Sequence, residues 1–444
     1  MVVSNLIFAL CLGIASFFFG RNVIKVKQNI NLGRDIDRSD RSRDRWMTMA
    51  RVALGQSKMV VRPVAGFLHI LVYVGFVIIN IEVLEIVIDG LIGTHRVFAF
   101  MGAFYSFLIG SFEILAFLVL LACVLLMIRR NVLQIKRFVM QEMKGWPKLD
   151  ANLILIFEVV LMSAFLLMQG ADLALQNLGA DHYVKAGSFP ISSFLLPLFD
   201  GMSIEAIVMI ERACWWFHIL GILAFLNYLP YSKHFHIILA FPNTYYSNLE
   251  PKGSFTNMAS VKNEVQMMMD PNADPYATPA KVDAEDPGRF GAKDVNDLNW
   301  VQLMNAYSCT ECGRCTSECP ANQTGKLLSP RKIMMDTRDR LEEFGAHVSA
   351  NGKDGEDGKS LLDDYITREE LWACTSCNAC TQACPINIDP LSIILDMRRY
   401  LVMEESAAPT ELNMMFTNVE NNGAPWQFPA VDRLNWKDEA QYEK

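Results

Sequence analysis

The chain has 444 residues, 52% of them hydrophobic and 20% charged, with a formal net charge of −8. That length exceeds one ordinary domain, and an acidic balance gives no footing for nucleic-acid binding. The averages hide a split: the first 240 residues hold nearly every long apolar run, and the rest is polar and acidic. An integral membrane half joined to a soluble half is therefore expected.

A helix crossing the hydrocarbon core needs about 20 mostly apolar residues. Five segments qualify, at roughly 3–20, 64–88, 100–127, 152–171 and 204–229. The first has no basic residue ahead of its apolar run, so it does not read as a cleaved signal peptide. Loop charge sets the orientation. Residues 21–62 carry eleven Lys and Arg and residues 129–150 carry six, whereas 89–99 have only Arg96 and 172–203 only Lys185. The N-terminus is expected outside, and everything after the fifth span inside, in the cytoplasm behind a bacterial inner membrane.

Histidines in such a half are haem-ligand candidates, because imidazole is a common protein ligand of haem iron and polar groups in lipid are usually functional. His69 lies just inside the second span. His218 falls in the fifth span near the outer face, and His236 follows at the inner face. Eighteen residues close five helical turns, so a continuous helix would carry His218 and His236 on one stripe about 27 Å apart. His234 would point away from that stripe. A plain hydrogen-bonded histidine is the alternative at each position. Glu113 and Glu158 sit within spans, and Glu82 and Glu85 approach the outer end of theirs. They are candidates for a proton path to quinone, against the alternative of a simple interhelical hydrogen bond.

Residues 241–296 are rich in Pro, Asn, Asp and Gly and predict an extended linker. Residues 297–307 predict a helix leading into the first of two cysteine runs. That run is Cys309-x-x-Cys312-x-x-Cys315-x-x-x-Cys319-Pro320, and the second is Cys374-x-x-Cys377-x-x-Cys380-x-x-x-Cys384-Pro385. Three thiolates at a spacing of three hold one corner region of a cubane cluster, while the fourth ligates the other cluster in proteins with two such runs. Cys309, Cys312, Cys315 and Cys384 are thus assigned to one [4Fe-4S] centre, and Cys374, Cys377, Cys380 and Cys319 to the second. Structural zinc favours paired knuckles with a gap, and disulfides need an oxidising compartment, so both fit less well. Between the runs, Ser329-Pro330 opens a helix with Ile333, Met334 and Leu341 on one stripe, and Thr367-Arg-Glu-Glu370 opens another. Asn351–Gly358 reads as an exposed turn-rich loop without calcium-ligand spacing. A docking tail, 404–444, carries Trp426, Phe428 and Trp436. The fold class is all-α: a five-helix transmembrane bundle, then a cytoplasmic helical dicluster ferredoxin domain at 297–403.

On these motifs the membrane half, 1–240, resembles the haem b-binding gamma subunit of respiratory nitrate reductase and its relatives. The likeness rests on five spans, the early His69 and the His218/His236 pair around Pro230-Tyr-Ser-Lys233. It implies that His69 and His236 hold one b haem on the cytoplasmic side. The family's second ligand on the second span would fall where Ile79 and Asn80 stand, so His218 needs another partner, is five-coordinate or holds no haem; His95 has the right depth for such a partner. The soluble half resembles the dicluster iron–sulfur subunits of heterodisulfide reductase and of glycerol-3-phosphate dehydrogenase. Fused relatives continue past a segment like Glu420-Asn-Asn-Gly-Ala-Pro-Trp426 into a domain with Cys-Cys-Gly motifs. This sequence has no Cys-Cys pair, which implies a separate Cys-Cys-Gly iron–sulfur partner serving an electron-transfer flavoprotein, a 2-hydroxy acid or a disulfide. With no nucleophile–base constellation and no Gly-rich nucleotide loop, the sequence predicts two [4Fe-4S] clusters, one or two b haems and quinone as substrate, in an electron-transfer subunit without its own organic-substrate site. The alternative is a non-redox membrane anchor with a metal-stabilised binding domain.

Overall fold

A computed structural model of the chain describes residues 2–271, 289–352 and 357–442. The protein is all-α as expected; among the described residues the only β pairings are isolated bridges, Arg34 with Asn299 and Leu362 with Ile366. Five helices are long and apolar enough to cross a membrane. They are α1 (Val2–Ile30), α3 (Pro63–Ile92), α4 (Ala103–Asn131), α5 (Trp146–Leu178) and α6 (Ile204–Tyr228), with the short α2 (Ser42–Met49) between the first two. Each has few charges and is apolar nearly all round, which suits burial in lipid rather than an amphipathic surface position. The lipid-facing side shows residues such as Leu10, Phe107 and Met209 at the surface, while Ile109, Phe112, Ala116 and Phe165 fill the bundle core. Close approach of α3 and α4 needs Gly75, whose hypothetical Cβ would lie 2.4 Å from Val119 Cγ2.

Two expectations are corrected here. The first helix does not stop where its apolar run does. It continues through Arg21, Lys25 and Lys27 to Ile30, and its end enters the soluble half. There Asn29 donates to the Tyr307 hydroxyl at 2.8 Å, and Val26 and Ile30 join the soluble core. The fifth span is also not one helix through His236. Pro230 removes a backbone donor, α6 ends at Tyr228, and the chain passes through Ser232 in an extended conformation before α7 (His236–Tyr245) begins. Asp150 of α5 holds this break by accepting from Ser232 Oγ at 2.6 Å, from the Lys233 amide at 3.1 Å and from the Tyr228 hydroxyl. His218 and His236 therefore do not share a helical stripe.

The segment between α5 and α6 is not a plain outer loop. Residues Ser192–Phe199 form a 3₁₀ turn folded back against α5, too short to span and interrupted by Pro197. Glu113 anchors it, accepting from the amides of Ile191 and Ser192 at 2.9 and 3.2 Å.

In the soluble half, α8 (Ala259–Met269) lies exposed within the predicted linker, and most of that linker's Pro/Asp-rich stretch, 272–288, falls outside the described residues. The linker's end is packed, not extended: Ala292 and Val295 are buried, and Asp294 takes a bidentate pairing from the buried Arg340. Short helices α9 (Trp300–Ser308), α10 (Arg314–Glu318) and α11 (Pro320–Gln323) carry the first cysteine run. The long α12 (Pro330–Asn351) follows, capped by Ser329 as the sequence predicts. The second run begins just after α13 (Arg368–Trp372) and passes through α14 (Ala379–Ala383), and α15 (Pro390–Met403) closes the domain. Thr367 and Glu370 form the expected capping box. Residues 353–356 of the predicted Asn351–Gly358 loop lie outside the described set. In the tail, α16 (Thr410–Asn422) and α17 (Asn435–Tyr442) leave Trp426, Phe428 and Trp436 exposed.

Candidate redox site

The two cysteine runs fold alike. In each, the residue before the second cysteine and the residue after it have positive φ: Glu311 (54°) and Gly313 (68°) in the first, Ser376 (55°) and Asn378 (60°) in the second. Left-handed residues so placed turn backbone N–H groups toward one side, the arrangement of an anion-binding nest. Gly313 also has no room for a side chain, since a Cβ there would stand 2.4 Å from Arg331 Nη1. The following short helices, α10 and α14, pack against each other and bring the runs face to face.

That pairing crosses the fourth cysteines over. Cys309, Cys312, Cys315 and Cys384 line one small apolar cavity together with Met334, Ile386 and Ile388. On the other side Cys374 lies within electrostatic reach of Cys319 and Cys377, and Cys380 within reach of Cys374. All eight thiols are free of disulfides. Two accept backbone N–H groups, Cys374 from Ser376 and Cys384 from Ile388, at 3.4 and 3.3 Å. Burial, then mutual repulsion, pushes the thiols up, Cys309 to about 12 and Cys384 to about 11. Thiols so placed become thiolates only against a strongly cationic core, and an iron–sulfur cluster supplies one. No three His, Cys, Asp or Glu side chains among the described residues are placed to hold one metal ion. The thiols ring a volume instead of meeting at a point, so this donor set fits a cube better than a single zinc.

Two of the predicted haem ligands come together where the membrane half meets the first cysteine run, His236 bonding the carbonyl of Lys233, whose side chain donates to Glu311. The rings of His69 and His236 have centroids 6.4 Å apart. Two imidazoles on one iron, each with a bond of about 2.0 Å and about 1.1 Å from nitrogen to ring centre, would stand about 6 Å apart. His236 Nδ1 lies 3.0 Å from the Lys233 carbonyl, which as acceptor leaves Nε2 for a metal. The break at Pro230 is what turns His236 toward His69. His234, set aside in the sequence as facing away, also joins this group, with its ring 5.5 Å from that of His236. The donor set fits a b-type haem.

His218 and His95 are not brought together. His218 is buried against Phe165, with Nδ1 3.0 Å from the Leu161 carbonyl. His95 packs on His182 and Tyr183 at the opposite end of the bundle from His69, with Nε2 3.4 Å from Asp172. Glu113 is fully buried as the anchor described above, and Glu158 is half-buried in α5.

What joins the two halves is a set of buried polar contacts that motifs alone do not reveal. Lys233 donates to Glu311, which lies between the first two cysteines, and to the Pro147 carbonyl at 2.7 Å. Arg338 holds the other Glu311 oxygen at 2.8 Å. Burial opposes charge on Glu311, yet Lys233 and Arg338 keep its carboxyl below the usual range. Arg314 donates to the Lys58 carbonyl at 3.0 Å, Lys58 to Asn387 at 2.9 Å, and Arg331 to the Arg137 carbonyl at 2.6 Å and to Glu142 at 2.7 Å. Asn243 donates to the Ile386 carbonyl at 2.7 Å, next to the Cys384-Pro385 end. The only sequence signal for these was that Lys233 lies in the turn before His236 and that Glu311 and Arg314 lie inside a cysteine run. The soluble half thus packs on the face that carries the Arg- and Lys-rich loops.

Residues 308–388 match the family described as 4Fe-4S dicluster domain. Over 99% of its length the chain is 28% identical to a probable iron-sulfur-binding oxidoreductase, FadF, of Bacillus subtilis, covering 61% of that protein. It is 27% identical over 91% of its length to the EtfAB:quinone oxidoreductase of Syntrophomonas wolfei, covering 55% of it. Over 27% of its length it is 32% identical to one polypeptide of a ferredoxin/F(420)H(2)-dependent CoB-CoM heterodisulfide reductase of Methanosarcina acetivorans, covering 60% of that polypeptide. The chain thus spans a little over half the length of the two relatives it matches throughout. No solved structure matches it. The similar proteins are iron–sulfur oxidoreductases and their subunits, so electron transfer through [4Fe-4S] clusters is supported. The likeness to a nitrate reductase gamma subunit is not among these matches.

Proposed function

We propose that the chain is the membrane electron-transfer subunit of a quinone-linked respiratory iron–sulfur oxidoreductase, with its soluble half in the cytoplasm. Cys309, Cys312, Cys315 and Cys384 would hold one [4Fe-4S] cluster, Cys374, Cys377, Cys380 and Cys319 the second, and His69 with His236 a b haem. When bound, these groups would supply the one-electron carriers between a soluble partner and the quinone pool. The chain's own residues set the order. Cys377 is exposed, so the second set faces the partner, whereas the first set abuts the His69/His236 pair through Lys233–Glu311 and Arg314–Lys58. That adjacency is the observation that carries the reading. A Cys-Cys-Gly-type iron–sulfur protein is the proposed partner; its link to an electron-transfer flavoprotein is in line with the name of one similar protein, the EtfAB:quinone oxidoreductase. His218, with Nδ1 occupied by a backbone carbonyl as in His236, is the candidate ligand of a second haem.

The competing reading is a non-redox anchor with a metal-stabilised domain, and the His69/His236 geometry disfavours it. The test is an optical spectrum of anaerobically purified protein before and after dithionite. A reducible b-type band that disappears in His69→Ala, with iron–sulfur absorbance retained, is expected; a colourless zinc protein, or a haem band indifferent to that change, would overturn the reading.

A further inference from the structure

The chain just ahead of α3 carries a cation into the seam where the two cysteine runs meet. Lys58, half-buried, donates from Nζ to Asn387 Oδ1 at 2.9 Å and to the Thr381 carbonyl at 3.5 Å. It lies within electrostatic reach of Cys384. Arg314, inside the first run and buried, bonds back to the same segment. It donates to the carbonyls of Lys58 and Met59 at 3.0 and 3.4 Å and to Met59 Sδ at 3.3 Å. Cys312 and Cys384 are both within its reach. All these bonds go to neutral acceptors, and neither cation pairs with a carboxylate among the described residues. A charge taken out of water without a counter-charge is costly, so the two together point to an anion at Cys312 and Cys384.

Other charges near the first cysteine set are already balanced. Glu311 is held by Lys233 and Arg338, and Arg331 by Glu142 at 2.7 Å. The second set has no such excess. Its one close guanidinium, Arg398, is half-buried and donates to the Leu371 and Cys374 carbonyls at 2.6 and 2.5 Å. The Asp389 carboxylate, within reach of Cys380, opposes it. Cys377 is exposed, so water also screens this set.

We infer that Lys58 and Arg314 make the first cysteine set the electron sink of the pair, reduced at a higher potential than the set of Cys374, Cys377, Cys380 and Cys319. The inference rests on the two-cluster reading above and deepens it by giving the internal step a direction. A cluster gains one negative charge with each electron, and net charge around it is a lever on its potential. Burial alone disfavours that charge. Two unpaired cations in the same seam outweigh burial, because exclusion of water strengthens their attraction too. One electron then leaves the second set, which is oxidised, and enters the first, which is reduced, on the side of His69 and His236, with no proton moved. Lys58 belongs to the membrane half, so docking of the two halves completes this setting.

The test is an anaerobic redox titration of the purified full-length protein, read by low-temperature electron paramagnetic resonance, with iron content per chain as the control for loading. Lys58→Gln keeps a hydrogen-bond donor and removes the charge. At a fixed ambient potential the reduced-to-oxidised ratio of the first cluster is expected to fall about tenfold, a downshift of about 59 mV for one electron, with the second cluster unchanged. Lys58→Arg should restore the wild-type value. Asn387→Leu, which removes the hydrogen bond but no charge, should leave it unmoved. A first cluster indifferent to Lys58→Gln, or shifted as far by Asn387→Leu, would overturn the inference while leaving the two-cluster reading in place. Wild-type protein without two titrating clusters would overturn both. Should Lys58→Gln lose its clusters, the midpoints of Cys319→Ser and Cys384→Ser decide, since these leave the first and the second set intact, respectively. A higher midpoint in Cys319→Ser supports the inference, and an equal or lower one overturns it.

Discussion

Replacing Lys233 with Met tests the joint between the membrane half and the first cysteine run. The Lys233 side chain is 8% exposed and Glu311 is 2% exposed, so their ion pair is shielded from water and salt. Removing one partner of such a buried pair costs about 3–5 kcal/mol, because the other charge is left behind. Here Arg338 still holds the second Glu311 oxygen at 2.8 Å, so roughly half of that, about 2 kcal/mol, is expected. For a soluble half of this size that lowers the melting midpoint by about 4–8 °C. The assay is anaerobic thermal loss of iron–sulfur absorbance in detergent. The double variant Lys233→Met/Glu311→Gln removes both charges and should recover at least half of the loss, because the penalty lies in the stranded carboxylate. A single variant that melts like the wild type, or a double variant worse than the sum of its parts, would refute the reasoning.

Two more outcomes follow from the same geometry. Cys384→Ser should remove the cluster whose other ligands are Cys309, Cys312 and Cys315, and Cys319→Ser the one of the second run; low-temperature electron paramagnetic resonance of each variant reads which signal is lost, and the reverse assignment would show uncrossed wiring. Asp357, hydrogen-bonded by Arg340, is held at about 2 against an ordinary 3.8. Its share of stability is therefore present above about pH 4 and lost as pH falls toward 2. Asp357→Asn should flatten that part of an acid-unfolding curve, and an unchanged curve would contradict it.

Much of this was legible in the sequence, for reasons that differ from place to place. Five spans follow from apolar runs because lipid leaves the backbone no alternative to helix. The doubled cysteine run, with its spacing of three, is equally direct. The length of α1 was not legible, because Arg21, Lys25 and Lys27 end its apolar run while the helix continues into a protein core. Pro230 was visible, yet its effect on His236 depended on Asp150, eighty residues earlier, accepting from the Lys233 amide and from the Ser232 and Tyr228 hydroxyls. Arg96, Gln169 and Asp172 read singly as loop and span-end residues, and only the packing of that loop on α5 makes them one buried chain, Arg96 donating to both of the others. The basic residues of 21–62 and 129–150 served as an orientation signal, and Lys58 and Arg137 among them also proved to be docking contacts.

The most direct measurement is metal analysis of the anaerobically purified protein, with haem quantified separately. About eight non-haem irons per chain are predicted, with negligible zinc. Fewer than half that number, or zinc in their place, would contradict the account at its root.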